Sequence, residues 1–296
     1  MESSYKQILK KRSRLILLLF FMAYGCAGIN TSIIFYSGNI NGNYESCNCP
    51  KLPDGSILNH ITFKKDSVGN SDSVINISTG NIFTQGNDVK DDRIILALFD
   101  SLGYDVYVPG ENDLELLDNI KFKSCVTAWN IEGCIPFIEF KKRDLKICIT
   151  GMIDPQNMTR NDKVTIFNRS IREIIEYTDS LKNFCDLVVF VSNLNSDFEK
   201  KVFNEVESID IMISGINRKN ESIKFGNRFY VSPGKGPEFT GKFVISRNSS
   251  GYKFDNKFIE MDYENIREDE VCADLIDSLK IESGMKIRIK SIDSDL

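Results

Sequence analysis

Residues 33–42 read Ile33-Ile34-Phe35-Tyr36-Ser37-Gly38-Asn39-Ile40-Asn41-Gly42, an apolar run that stops in a small, asparagine-rich turn. Four further turns of this kind each close an apolar run. They are Ser78-Thr79-Gly80-Asn81 after residues 74–77, Gly110-Glu111-Asn112-Asp113 after 106–108, Ser192-Asn193-Leu194 after 187–191 and Ser214-Gly215-Ile216-Asn217-Arg218 after 209–213. Short apolar runs bounded by such residues read as strands. Asparagine and glycine tolerate left-handed backbone angles, so any one of these is an ordinary turn. Five in succession are another matter, because loops at strand carboxyl ends are where layered α/β folds gather their active residues.

Residues 146–149, 229–231 and 243–246 are further strand candidates. Helical spacing predicts a helix over 91–102, with Ile94, Ile95, Leu98, Phe99 and Leu102 on one face, a capping signal at Asp88 and a stop at Gly103. A second is predicted over 167–181, with Ile171, Ile174, Ile175 and Leu181 on its apolar face, and a third over 270–279. Strands alternating with amphipathic helices define an α/β layer fold. No repeat, low-complexity tract or linker rich in proline or glycine interrupts it, so a single folded unit is expected.

The 296 residues are 42% hydrophobic, enough for a sizeable core. Lysine and arginine number 37 against 42 acids, a net charge of −5. Five of those bases lie in the first fourteen residues, so the rest of the chain is more acidic still. Nucleic acid is therefore not an expected partner, since counterion release needs a basic face. There is one histidine, His60. A single imidazole cannot supply a His₃ zinc site or a histidine-rich dinuclear centre, so hydrolytic metal chemistry would have to use oxygen or sulfur ligands.

Lys6, Lys10, Lys11, Arg12 and Arg14 precede the apolar run 15–24, the pattern of an export signal and too short for a spanning helix. The run ends Ala23-Tyr24-Gly25-Cys26, which places a signal peptide over 1–25 and a lipidation site at Cys26; the other reading is an uncleaved amino-terminal anchor. Both put the body, residues 26–280, outside the cytoplasm, as a cell-envelope lipoprotein or a periplasmic membrane-anchored protein, followed by a charged tail over 281–296. With Cys26 lipidated, an odd number of cysteines remains from eight, and at least one thiol stays free. Cys148 and Cys185 are expected to pack as small buried hydrophobes. Cys125 and Cys134 flank a turn-like stretch and are candidates for a disulfide across a hairpin.

From residue 33 to 274 the order and spacing of the five turns resemble the calcineurin-like metallophosphoesterase superfamily, in particular its exported 5′-nucleotidase and cyclic-phosphodiesterase branch. Supporting matches are Leu102-Gly103-Tyr104-Asp105, Gly151 before Asp154, Asp186-Leu187-Val188-Val189 and Gly241-Lys242. The resemblance implies a four-layer αββα sandwich, two mixed sheets flanked by helices. It also implies ligand positions, and here they are changed. In the family's Asp-x-His-Gly turn Gly42 matches, while Asn39 and Asn41 stand at the acid and imidazole places. Asn81 follows Gly80 where the family has Gly-Asp. Glu111 and Asn112 occupy the asparagine and histidine places of Gly-Asn-His-Glu. Asn193 replaces the histidine of Ser-His, and Ile216 and Arg218 replace both histidines of Gly-His-x-His.

The segment Glu45-Ser46-Cys47-Asn48-Cys49-Pro50 resembles a Glu-Pro-Cys-Gly-Cys element of an exported branch of these enzymes, with Asn59 and His60 at two later arginine places. Two thiolates fall short of the four ligands of a closed zinc site, so Cys47 and Cys49, beside Glu45, read either as a thiophilic metal or redox pair or as cysteines that hold a loop or pair with Cys125 or Cys134.

In intact members two ions polarise the phosphoryl group and generate hydroxide. Neutral amides at Asn39 and Asn81 remove the charge that offsets those ions, and Asn41, Asn112 and Asn193 cannot replace imidazole nitrogen. No cofactor is expected beyond at most one hard divalent ion, held by Glu111, Asp113 and Glu45 with asparagine carbonyls. Arg218 reads either as a clamp for phosphate or carboxylate or as a solvated loop residue. The leading expectation is an exported, membrane-anchored binding or envelope-associated module with a small-molecule or protein ligand. The alternatives are a phosphoric ester hydrolase with a site remodelled from Glu45, Cys47, Cys49, Glu111 and Asp113, and a thiol-redox or metal-carrying lipoprotein using Cys47 and Cys49. Exported nucleotidases of this family also carry a carboxyl-terminal substrate domain, which is not expected here.

Overall fold

The computed structural model describes residues 31–45, 55–68, 74–84, 89–117, 125–142, 145–156, 164–234, 236–248, 251–262 and 266–283. The expected signal over 1–25, Cys26, Cys47, Cys49, Asp88 and the tail beyond residue 283 lie outside them. The elements run β1 (Thr31–Ser37), α1 (Ile57–Val68), β2 (Val74–Ser78), α2 (Val89–Leu102), β3 (Val106–Tyr107), a 3₁₀ helix (Glu111–Leu116), β4 (Cys125–Val126), β5 (Phe137–Lys142) and β6 (Leu145–Ile153). They continue with α3 (Ile171–Lys182), β7 (Leu187–Asn193), α4 (Ser196–Glu205), β8 (Ile211–Ser214), β9 (Asn220–Phe225), β10 (Arg228–Pro233), a 3₁₀ turn (Gly236–Glu238), β11 (Phe239–Asn248), β12 (Gly251–Glu260) and α5 (Glu270–Glu282). Among the described residues no helix is long and apolar enough to cross a membrane.

Two six-stranded mixed sheets result, in orders β12-β11-β1-β2-β3-β4 and β5-β6-β7-β8-β10-β9. In the first, β1 through β4 pair in parallel and β11 and β12 add antiparallel. In the second, β6, β7, β8 and β10 are parallel, with antiparallel β5 and β9 at the edges. The period of two along each strand decides which side chains meet. Ile34 and Tyr36 of β1 and Ile75 and Ile77 of β2 point inward, to meet Ile147, Ile149, Val189, Val191 and Ile213 from the other sheet in one shared core. The intervening residues face outward, Phe35 edge-on to Phe63 of α1 at 5.2 Å and Phe190 into the layer of α3 and α4. Helices α1, α2 and α5 cover the other outer face. This is the αββα sandwich that the resemblance implies.

Caps decide where the helices begin. Ser170 Oγ accepts from Glu173 N and the Glu173 carboxylate accepts from Ser170 N, a capping box that starts α3 at Ile171, later than the apolar pattern suggests. Helix α5 begins where Asp269 accepts from Cys272 N, and it continues to Glu282, two residues into the expected tail. Periodicity misses α1 because only Ile57, Leu58 and Ile61 of its apolar residues are fully buried.

The cysteines correct two expectations. Cys148 of β6 and Cys185 after α3 form a disulfide with Cα atoms 5.9 Å apart; both point to the outer face of the second sheet, where packing brings them together. Cys134 is a free thiol, so the Cys125–Cys134 bridge is not formed. Burial pushes the Cys134 pKa up to about 11, which keeps it a protonated thiol at neutral pH.

His60 is buried in α1. Its Nε2 donates to the Pro237 carbonyl at 2.9 Å, so Nδ1 is the unprotonated nitrogen and accepts from Thr240 Oγ1 at 3.0 Å. Burial lowers its pKa to about 4, against an ordinary 6.5. Between those values the unfolded chain takes up a proton that the folded protein refuses, so stability present at neutral pH is lost as pH falls from about 6.5 toward 4. The expected loss over that window is about 3 kcal/mol at 1.36 kcal/mol per pKa unit. Urea unfolding at pH 7 and pH 4.5 measures it, and His60→Gln should unfold with a distinctly shallower dependence on pH; equal slopes would refute the assignment.

Candidate functional site

The five turns meet at one edge of the sandwich, where backbone pairing between β1 and β2 continues past the strands. Thr79 N donates to Ser37 O at 2.8 Å, Asn39 N to Gly80 O at 2.9 Å, Asn41 N to Asn81 O at 2.9 Å and Gly42 N to Ile82 O at 2.9 Å. Among the described non-glycine residues, Asn39, Asn41 and Asn81 have left-handed φ, at 55°, 49° and 52°. These are turns that asparagine tolerates at low cost. Gly80, with φ 82°, packs so closely that a Cβ there would lie 2.3 Å from Gly110 N. A Cβ at Gly215 would lie 2.2 Å from Asn193 Oδ1.

The asparagine side chains spend their donors on one another. Asn41 Nδ2 donates to Asn39 O at 2.7 Å, Asn81 Nδ2 to Asn39 Oδ1 at 3.2 Å and Asn112 Nδ2 to Asn41 Oδ1 at 2.9 Å. Asn112 N donates to Asn81 Oδ1 at 3.2 Å, and Asn39 Nδ2 reaches Gly234 O at 3.2 Å. Asn193, from β7, staples the second sheet to the first by donating to Thr79 O at 2.9 Å and Pro109 O at 3.0 Å. Its Oδ1 and the buried Thr79 Oγ1 have no hydrogen-bond partner among the described residues.

The carboxyl groups named in the sequence have structural partners. Asp113 is fully buried at the start of the 3₁₀ helix. Its Oδ2 accepts from Asn81 N at 2.6 Å and Gly110 N at 2.7 Å, its Oδ1 from Ile82 N at 2.9 Å and Phe83 N at 3.3 Å. Burial raises its pKa and these N–H donors pull it back. Glu45 accepts from Lys280 of α5 at 2.5 Å, and the Lys280 ammonium also lies 5.3 Å from the Tyr44 ring centroid. Glu111 opens the 3₁₀ helix. Among the described residues, no three His, Cys, Asp or Glu side chains gather closely enough to hold a metal ion.

So the structure brings Asn39, Asn41, Asn81 and Asn112 into one network, with Asn193 joined to it through Thr79. Half-buried Ile216 and exposed Arg218 lie apart from it, on a cleft between α4 and the β9–β10 hairpin. Sequence reasoning did not single out that cleft, whose floor holds Glu199 and Tyr230. Glu199 carried a signal, an acid at a position where α4 buries its face beside Val202 and Phe203. Burial raises its pKa, opposed by the nearby hydroxyls of Ser192, Tyr230 and Ser214.

No protein-family model matches the sequence, and no relative is found among curated protein sequences. Solved structures do match the fold. The 5′-nucleotidase precursor from Thermus thermophilus aligns with TM-score 0.71 and 12% identity over 86% of this chain and 59% of its own. The sulfate thiohydrolase SoxB of the same species aligns with TM-score 0.71 and 10% identity, over 86% and 61%. The calcineurin-like phosphoesterase YfkN from Bacillus subtilis aligns with TM-score 0.65 and 14% identity, over 86% and 98%. The fold is thus the two-sheet sandwich that these solved structures share. The chain spans about three fifths of the length of the first two proteins. Neighbours named for different reactions share the fold, so the site's own residues must carry any functional argument.

Proposed function

We propose that this protein is exported, held at a membrane through lipidated Cys26 or an uncleaved amino-terminal anchor, and serves as a binding or envelope-associated module. In this reading it has given up dinuclear-metal phosphoester hydrolysis. The amide network carries the proposal. A divalent ion needs oxygen lone pairs turned toward it and negative charge to offset its own. At the positions the resemblance assigns to ligands, Asn39 Oδ1, Asn41 Oδ1 and Asn81 Oδ1 each already face an N–H donor. A pair of cations would have to displace those donors and gain neutral amides in return, so the donor set does not fit the family's metal pair. The Cys148–Cys185 disulfide supports an oxidising compartment outside the cytoplasm.

Elemental analysis of the purified full-length protein, with assays on aryl phosphate mono- and diesters in manganese, cobalt and calcium, tests this. The expected result is less than one tightly held metal per chain and no metal-dependent turnover. Two metals per chain with turnover would make it a phosphoesterase, the activity for which its fold neighbour YfkN is named. One zinc or copper lost on Cys47→Ser would move the function to the Cys47–Cys49 pair.

A further inference from the structure

The cleft beside α4 has about 700 Å³ of accessible space. Its floor and its mouth differ in chemistry. On the floor Tyr230 donates to Glu199 Oε1 at 2.7 Å, while Glu199, only 2% exposed, has an Oε2 that makes no hydrogen bond among the described residues. The hydroxyls of Ser192 and Ser214 also lie near this carboxylate, and a ligand N–H or O–H at Oε2 would add a donor to a buried acceptor. The walls are apolar. Ile223 and Phe225 lie two apart on edge strand β9, so their side chains share one face, and they are 46% and 64% exposed where burial is the rule for such residues. Phe203 and half-buried Ile216 line the same space.

At the mouth stand three exposed cations, Lys200, Arg218 and Lys219. Glu221, the other acid lining the cleft, accepts from Asn217 Nδ2 at 2.8 Å. The loop that presents Arg218 and Lys219 is held in shape: Asn217 N donates to Ser214 Oγ at 3.2 Å and Lys219 N to Asn217 Oδ1 at 3.0 Å.

From this polarity we infer that the cleft binds a small amphipathic organic anion, its acidic head at Lys200, Arg218 and Lys219, its apolar body against Phe203, Ile223 and Phe225, and a hydrogen-bond donor meeting Glu199. The inference rests on the binding reading above, to which it adds a place and a ligand class. It uses no residue of the asparagine network.

The test uses 8-anilinonaphthalene-1-sulfonate, which carries a sulfonate, an aromatic body and an N–H, titrated by fluorescence into the full-length folded protein. The expected result is saturable binding of one probe per chain. Arg218→Glu combined with Lys219→Glu should weaken it at least tenfold, and Phe225→Ser should weaken it severalfold. All three changes lie at exposed positions, and near-UV circular dichroism checks that the variants keep the native fold. The neutral analogue N-phenyl-1-naphthylamine should bind at least tenfold more weakly than the sulfonate. Binding that does not saturate, equal affinity for the neutral probe, or wild-type affinity in the folded charge-reversal variant would overturn the inference. The two readings fail separately. Metal-dependent turnover with intact probe binding sinks only the non-catalytic proposal, while unaltered probe affinity in the variants of a metal-free, inert protein sinks only the cleft.

Discussion

Asp113→Asn should lower the unfolding free energy by about 3 kcal/mol, and Asp113→Ala by about 4 kcal/mol, as sums of buried N–H groups left without acceptors at about 1–3 kcal/mol each. Asparagine has the shape of aspartate, and in most buried places the exchange is mild. Here both carboxylate oxygens are already used, each by two backbone N–H groups from the turns after β2 and β3. Whichever way an amide is turned, its NH₂ meets two donors. Urea unfolding measures the loss. A cost below about 1 kcal/mol for Asp113→Asn would show that the carboxyl does not organise these turns. The loss should also be independent of added calcium or magnesium; a loss that the metal reverses would make Asp113 a ligand.

The second large effect is asymmetric. Glu45→Gln should cost about 3–5 kcal/mol, because it leaves the Lys280 ammonium in a site where the side chain is only 6% exposed. Lys280→Met should cost less. Its aliphatic stem is replaced in kind beside Tyr44, and the Glu45 carboxylate, 26% exposed, can turn to water. The double variant should recover part of the Glu45→Gln loss. Equal costs for the two single changes would mean that burial does not govern the pair. This ion pair ties Glu45, beyond the turn after β1, onto α5.

Much of the fold was legible in the residues. The apolar runs became β1, β2, β3, β6, β7, β8 and β10, together with the middle of antiparallel β11; the parallel strands, covered on both faces, are apolar throughout and stand out in any sequence. Edge strands β5, β9 and β12 escaped for the opposite reason. Strand β12 alternates Tyr252, Phe254 and Phe258 with lysine and aspartate, a period-two signal diluted by charge, and β9 is half-exposed or exposed along its whole length. The asparagines of the turns were legible too, both as left-handed turn residues and as amides at positions where the resemblance expects acids and imidazoles.

Partnership was not legible. Nothing local distinguishes Cys185 from a small core residue, and only the packing of α3 on β6 and β7 sets it beside Cys148. Asp113 read as a candidate cation ligand until the turns folded over it and presented four N–H groups. Glu199 drew no reading from the sequence, and only the packing of α4 set it under the cleft. Sequence periodicity and turn chemistry were sufficient to specify an α/β layer fold with asparagine-rich turns at its strand ends, because those depend on which residues avoid water and which tolerate left-handed angles; the two sheets and their layering were what the family resemblance implied. Which donor meets which acceptor across long stretches of chain was decided only when the two sheets closed on a common core, since a hydrogen bond or an ion pair depends on separations of a few ångströms that no local pattern encodes.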